Sequence, residues 1–425
     1  VTLLLFAGVL LGAMALGMPI AFALMLSSLA LMLHLDGIDA QAMALQMING
    51  ADSFALLAVP FFILAGEAMT AGGLSRRLVQ LGMALLGHVR GGLGYVAVVA
   101  AIFLASVSGS AVADTAALGA ILIPMMRRAG YDVPRAAGLM AAGGIIAPVI
   151  PPSIGYIVFG VASNVSITAL FLAGIVPGLL MGLALAVTWW FCARSEKAAM
   201  LPRASWAERG RALRDALLAL MLPVIIVGGL RFGIFTPTEA AVVAAVYALF
   251  IGMAVYRELH WRDLPEVLLA SVRTSAAVMF LVAAAAVSGY MITIADVPSE
   301  VQVLLEPFAG DPRLLMLAIM VLVVIVGTAL DFVPTILILT PVLMPVVRSA
   351  GIDPVYFGVL FIMNNAIGLL TPPVGSVLNV VCAVARVEMG PVMRGVMPFL
   401  VAQLAVLFLL VLFPQVVTVP LSWFR

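Results

Sequence analysis

A chain of 425 residues that is 64% hydrophobic and only 10% charged cannot cover itself with polar surface, which excludes a soluble globular fold. A formal net charge of +1 leaves no concentrated basic face and so excludes a nucleic-acid-binding surface. Cys192 and Cys382 sit in apolar stretches and His34, His88 and His260 are scattered, so neither a disulfide framework nor a zinc site is expected.

The apolar start lacks a basic n-region and an Ala-x-Ala cleavage site and reads as membrane-spanning, not as a signal peptide. Glu67, in FFILAGEAM, falls inside the membrane by position. From Gly91 to Met126 an apolar stretch is broken at Ser108-Gly109-Ser110, contains Asp114, and has basic flanks at His88, Arg90, Arg127 and Arg128. That pattern predicts a hairpin entering from the cytoplasm and returning there. Backbone of this kind is tolerated at membrane depth only where protein or a wet cavity surrounds it. A long apolar segment, about 135–172, follows and is interrupted by Pro151-Pro152. A proline pair removes backbone donors and unwinds a helix, freeing the carbonyls and half-helix ends that hold ions and substrates in membrane carriers.

The longest polar stretch, Arg194–Asp215, carries Arg194, Lys197, Arg203, Arg209, Arg211 and Arg214 and is assigned to the cytoplasm. Spans over 216–234 and 238–256 return the chain to the basic loop Arg257–Arg262. Between them, Thr236-Pro237-Thr238-Glu239 reads as a capping box. One further span, 266–292, puts the acidic residues Asp296, Glu300, Glu306 and Asp311 on the periplasmic side. From Leu314 to Val347 a second hairpin is expected, broken at Gly327-Thr328 and carrying Asp331 and Pro334. A second interrupted helix, about 354–386, carries Pro372-Pro373, and Phe399–Val417 is again long enough to span.

A shift of 221 positions aligns Pro124 with Pro345, Gly130 with Gly351, Asp132 with Asp353, Pro151-Pro152 with Pro372-Pro373, Gly174 with Gly395 and Pro177 with Pro398. The matches fall on residues that set backbone breaks, and the loop assignments give the two copies opposite directions through the membrane. We therefore expect residues 1–200 and 216–425 to form an inverted repeat joined by a basic cytoplasmic loop at 201–215. The same shift splits residues 1–34 into two short spans near Gly17-Met18-Pro19, for about ten spans plus two hairpins, with both termini periplasmic.

The segments GSAVADTAALGAILIPMMRRAGY, IIAPVIPPSIGYIVFGVASNVSI and RFGIFTPTEAAVVAAVYAL, in this order, resemble the large membrane subunit of tripartite ATP-independent periplasmic (TRAP) transporters. The resemblance covers nearly the whole chain. It implies an all-α, elevator-type carrier of the ion-transporter superfamily in a bacterial inner membrane, coupled to sodium. It also implies a small four-helix membrane partner, a soluble periplasmic binding protein, and a small carboxylate substrate such as a C4-dicarboxylate or sialic acid. One departure is Ala147, where the family commonly has Gly four residues before the proline pair.

Sodium is a hard cation and favours oxygen ligands. The first expected site combines the hydroxyls of Ser108 and Ser110 with the carbonyls of Ala147, Ile150 and Pro152. The second combines Gly327 and Thr328 with Gly368, Thr371 and Pro373. Ser110, Ser153, Asp331 and Asn365 are the candidate substrate contacts, half-helix N-termini supplying attraction for an anion. Ser110 also fits a simple helix cap, and Asn364-Asn365, in place of Gly143-Gly144, fits an interhelical hydrogen bond. A standalone sodium symporter is the alternative within the same class. An intramembrane serine protease on Ser108 or Ser110 is the remote one, since it needs a histidine at depth.

Overall fold

The computed structural model describes residues 2–35, 40–194, 196, 198–308, 310–372 and 375–424. Every regular element among them is helical. The first half comprises α1 (Thr2–Ala15), α2 (Ile20–His34), α3 (Ala40–Ala51), α4 (Ala58–Ala71), α5 (Leu74–Leu86), α6 (Gly92–Ser108), α7 (Ala111–Arg128), α8 (Val133–Gly144), α9 (Ile154–Ser163) and α10 (Ile167–Ala193). The second comprises α11 (Trp206–Arg231), α12 (Pro237–Phe250), α13 (Leu264–Ile294), α14 (Val297–Leu305), α15 (Pro312–Ala329), α16 (Phe332–Ser349), α17 (Pro354–Gly368), α18 (Ser376–Ala385), α19 (Met389–Leu412) and a terminal α20 (Gln415–Phe424).

Local chemistry explains many of these boundaries. Ser205 and Thr236 close capping boxes with Glu208 and Glu239 at the starts of α11 and α12, the second as its sequence predicts. Asp353 accepts from the Val355 and Tyr356 N–H groups at the start of α17, where Pro354 occupies the first turn. Gly17, with φ of 83°, separates α1 from α2. Among the described residues, seven continuous helical stretches are long and apolar enough to cross a bilayer, among them Ile167–Ala193, Leu264–Ile294 and Met389–Leu412. The expected spans that fall short of this length are the separate short helices α1 and α2 and the interrupted pairs α8–α9 and α17–α18, whereas α16, which reaches it, is a hairpin arm.

The repeat is visible in the helices themselves. α7 starts at Ala111 and α16 at Phe332, 221 positions on; Arg128 and Ser349, which end them, have the same separation, as do the first residues of α8 and α17. The copies interlock. α9 of the first packs on α16 of the second, and α18 of the second packs on α7 of the first. Phe159 of α9 meets Phe357 and Phe361 of α17 at 6.1 and 5.8 Å between ring centroids. At the helix ends, Arg127 donates to the Ala385 carbonyl that closes α18, and Arg348 donates to the Ser163 carbonyl that closes α9, the latter at 2.7 Å. Each guanidinium thus satisfies a C-terminal carbonyl of the opposite copy, where the helix dipole favours positive charge. A second group of helices stands beside this bundle: α4 packs on α12, α5 on α11, and α2, α3 and α4 on α13.

Basic residues gather at one end. Arg76 and Arg77 pair with Glu258 at 2.6 and 2.7 Å, Arg135 pairs with Glu196 at 2.9 Å, and Arg90 donates to the Arg194 carbonyl. The open end of the α6–α7 hairpin lies here, beside the long basic loop, as the positive-inside rule requires. The α15–α16 hairpin opens elsewhere, where Ser349 and Ala350 share a cavity with Ser299, Gln302 and Glu306.

Lipid tails are as apolar as leucine, so helices in a membrane associate through close packing of small residues. A Cβ on Gly138 of α8 would lie 2.7 Å from the carbonyl of Gly395 in α19, and both sides of that contact are backbone. Gly138→Ala is therefore expected to lower stability by about 1–3 kcal/mol. Gly12→Ala, where a Cβ meets nothing within 4 Å, should be close to neutral. Thermal unfolding of the two detergent-solubilised variants checks this; equal melting temperatures would contradict the packing account.

Candidate ion and substrate site

Ser108 ends α6 and Ser110 caps α7, with Gly109 between them at φ of 60°. The Ser108 hydroxyl donates to Asp114 Oδ1 at 2.6 Å, and the Ser110 N–H donates to the Ser108 oxygen at 3.1 Å. Ser110 Oγ accepts the Ala113 N–H at 3.4 Å, so the capping role is present. Asp114 is buried, and its second carboxylate oxygen meets no partner among the described residues. Gly66 of α4 packs on Ser108, which brings the helix carrying Glu67 to this tip.

Opposite the tip, α8 stops at Gly144 and the chain runs irregularly to Ser153, through a cis Pro151–Pro152 bond, before α9 begins. No backbone N–H among the described residues donates to the carbonyls of Ala147, Ile150 or Pro152. The tip and this break touch: a Cβ on Gly109 would lie 2.8 Å from the Pro152 carbonyl oxygen and 3.3 Å from Ser153 Cα. Ser108, Ser110 and Pro152 are thus brought together. Ser153 is fully buried; its hydroxyl donates to the Pro148 carbonyl at 2.6 Å and accepts the Tyr156 N–H at 3.4 Å. Its donor is used in shaping the break, and the same oxygen caps α9.

In the second copy the helix does not break at Gly327-Thr328. α15 continues to Ala329 and the turn falls at Leu330-Asp331, because the Thr328 hydroxyl bonds back to the Ile325 carbonyl at 2.8 Å and leaves the helix intact. Asp331 therefore occupies the N-cap position of α16, 221 positions from Ser110. The strict repeat register extends to the hairpin tips, with an acid in place of a hydroxyl. Gly327 and Gly368 still meet backbone to backbone, a Cβ on Gly368 lying 3.1 Å from the Gly327 carbonyl oxygen. The Thr371 hydroxyl donates to the Ile367 carbonyl at 3.2 Å, and Pro373 lies outside the described residues. Exposed Asp331 accepts a hydrogen bond from Ser376, the first residue of α18, at 3.2 Å. Asn364 donates to the Met320 carbonyl at 2.6 Å and ties α17 to α15, the interhelical role. Buried Asn365 donates to Phe361 within its own helix, leaving Oδ1 without a partner.

Asp114, Gly109 and Ser376 are the contributors that sequence reasoning did not place in either site. The 221 shift carries a signal for the second tip, since it pairs Ser110 with Asp331 directly. Protease chemistry finds no support: α6 spans 17 residues, which puts roughly 25 Å between His88 before its start and Ser108 at its end.

Residues 7–416 match the family described as "Tripartite ATP-independent periplasmic transporter, DctM component". The chain is 54% identical to the Escherichia coli 2,3-diketo-L-gulonate TRAP transporter large permease protein YiaN, over 99% of both chains. It is 41% identical to the Vibrio cholerae sialic acid TRAP transporter large permease protein SiaM, over 95% of both. The fold is similar to that of the Alcanivorax borkumensis YdaH transporter, with a TM-score of 0.60 and 16% identity, covering 88% of this chain and 89% of that one.

Contact between tip and break yields a paired prediction. Gly109 and Gly130 both hold positive φ, so alanine at either should cost about 1–2 kcal/mol of backbone strain. Only Gly109→Ala also presses on the Pro152 carbonyl, since a Cβ on Gly130 meets nothing within 4 Å. Uptake should fall by about tenfold or more for Gly109→Ala, the equivalent of roughly 1.4 kcal/mol, and be retained by Gly130→Ala. Equal uptake by the two variants in proteoliposomes, at comparable thermal stability, would remove the contact from the site.

Proposed function

Because the chain belongs to the DctM-component family of tripartite ATP-independent periplasmic transporters, we propose that it carries a small carboxylate inward together with sodium, by an elevator movement. It is a multi-pass permease of the bacterial inner membrane and not an enzyme. The observation that carries the reading is that in each copy a hairpin end meets an interrupted helix, the hairpin arms α7 and α16 and the helices α8 and α17 starting 221 positions apart. The first meeting offers carbonyls that accept no backbone hydrogen bond among the described residues, which suits sodium; in the second the Thr371 carbonyl is open in this way, while that of Gly368 accepts the Thr371 N–H at 2.9 Å. Ser108 and Ser110 with the carbonyls of Ala147, Ile150 and Pro152 form one sodium site. Thr328, Gly327, Gly368, Thr371 and Pro373 form the other, where Asp331 adds a carboxylate close by.

The substrate, a carboxylate such as a sugar acid, a sialic acid or a C4-dicarboxylate, sits between these sites, its acid group accepting from the Ser110 hydroxyl, while Asp331 and the unpartnered Oδ1 of Asn365 accept from hydroxyl groups where the substrate has them. The hairpins and the two helix pairs α8–α9 and α17–α18 travel as one body past α1, α2, α11 and α12. Those four stay fixed with a small membrane subunit, and a soluble periplasmic protein delivers the substrate. The tripartite description of the family favours this arrangement over a standalone symporter.

In proteoliposomes holding the whole assembly, uptake should follow an imposed sodium gradient. Equal uptake with potassium in place of sodium, or a requirement for ATP, would refute the coupling. Ser110→Ala should raise the sodium needed for half-maximal uptake, over and above a cap loss of about 1 kcal/mol that is independent of sodium. A stability loss with unchanged sodium dependence would leave Ser110 as a cap alone.

A further inference from the structure

A crevice of about 400 Å³ separates the two helix groups, within the ~300–1,000 Å³ usual for small-molecule sites. Its walls differ in kind. The polar groups come from the α3–α13 side: Gln46, Asn49 and Ser53 from and just after α3, Tyr290 and Thr293 from α13. The facing wall, from α9 and α16, offers Val158, Val161, Leu337 and Pro341. The Thr293 hydroxyl bonds its own helix at Gly289, whereas the side chains of Gln46, Asn49, Ser53 and Tyr290 make no hydrogen bond or ion pair among the described residues. Asn49 is exposed and Gln46, Ser53 and Tyr290 are partly buried, and open amides and hydroxyls on the wall of a crevice face water or a ligand. Among the described residues, no arginine, lysine, aspartate or glutamate lines the crevice.

We infer that this crevice is the selectivity wall of the carrier, and that it selects a polyhydroxylated monocarboxylate such as a sugar acid over a dicarboxylate. The inference rests on the transport reading above and narrows its substrate class. A sugar acid presents hydroxyls on one face and C–H groups on the other, matching a polar wall and an apolar one. A second carboxylate entering the crevice would be desolvated with no cation to meet it, which is strongly unfavourable. The single acid group is then held outside the crevice, toward the hairpin tips: Leu337 lies five residues, about 7.5 Å, along α16 from its first residue. The crevice residues of α13 come from the second half of that helix, away from the basic loop before it, so the crevice lies in the periplasmic half.

The test uses the full assembly in proteoliposomes, with Cys192 and Cys382 replaced by serine and Asn49→Cys introduced. A membrane-impermeant thiol reagent should modify the new cysteine from the periplasmic face. Gluconate, glucuronate and galactonate serve as hydroxylated monocarboxylate probes and succinate as the dicarboxylate. At least one of the three should slow modification by about fivefold or more, and succinate should not. In the same assembly, Tyr290→Phe should raise the KM for the protecting acid about fivefold, the weight of one neutral hydrogen bond, with half-saturating sodium unchanged. Absence of modification, protection by none of the three acids, or equal protection by succinate would overturn the inference. Sodium-driven uptake by the serine-substituted parent reports separately on the transport reading, so either can fail while the other stands.

Discussion

Everything in this fold follows from the need to satisfy backbone polar groups away from water. Two helices stop partway, and each stop exposes carbonyls in a region where an unmet polar group costs several kcal/mol. The molecule answers by laying a hairpin end against each stop. Gly109 admits the first hairpin to the Pro152 carbonyl, and Gly327 with Gly368 admits the second. Only residues without a side chain allow that approach, and so the glycines that look most dispensable in an apolar sequence define where the site lies.

The crossing of the two copies gives the site its second property. α9 leans on the other copy's hairpin and α18 on the first, while aromatic rings at Phe159, Phe357 and Phe361 join the halves. Each hairpin is thereby packed against a helix of the opposite copy. The equivalence is of backbone and not of chemistry. Ser110 and Asp331 hold one position in the repeat, and Gly143-Gly144 stand where the second copy has Asn364-Asn365. A symmetric frame thus carries side chains that differ between its two halves.

Much of this was legible in the sequence because proline, glycine and aspartate write backbone geometry directly. Pro151-Pro152, Gly130, Asp132 and Pro177, repeated 221 positions on, mark the interrupted helices and their caps. The second hairpin turn was placed three residues early. Gly327-Thr328 looks like a break, yet Thr328 bonds back to Ile325, and Leu330-Asp331 carries no glycine or proline to announce the turn. Contacts that depend on tertiary placement left no local trace. The bond from Ser108 to Asp114 follows from the angle of the hairpin, and Gln46 and Asn49 read as ordinary polar positions of an amphipathic helix until α13 and α16 are set opposite them.

The arginine at the end of each inner hairpin arm also sets an order of assembly. Arg127 waits for a carbonyl 258 residues further along the chain, and Ser163 waits 185 residues for Arg348. A ribosome adding about 5–20 residues each second would leave the first half with open helix ends for many seconds after it enters the membrane. The first copy is thus a guest without a host until the second arrives. A truncation just after α17 would strand α7 without α18, whereas the outer helices α1 and α2 already have each other from the start.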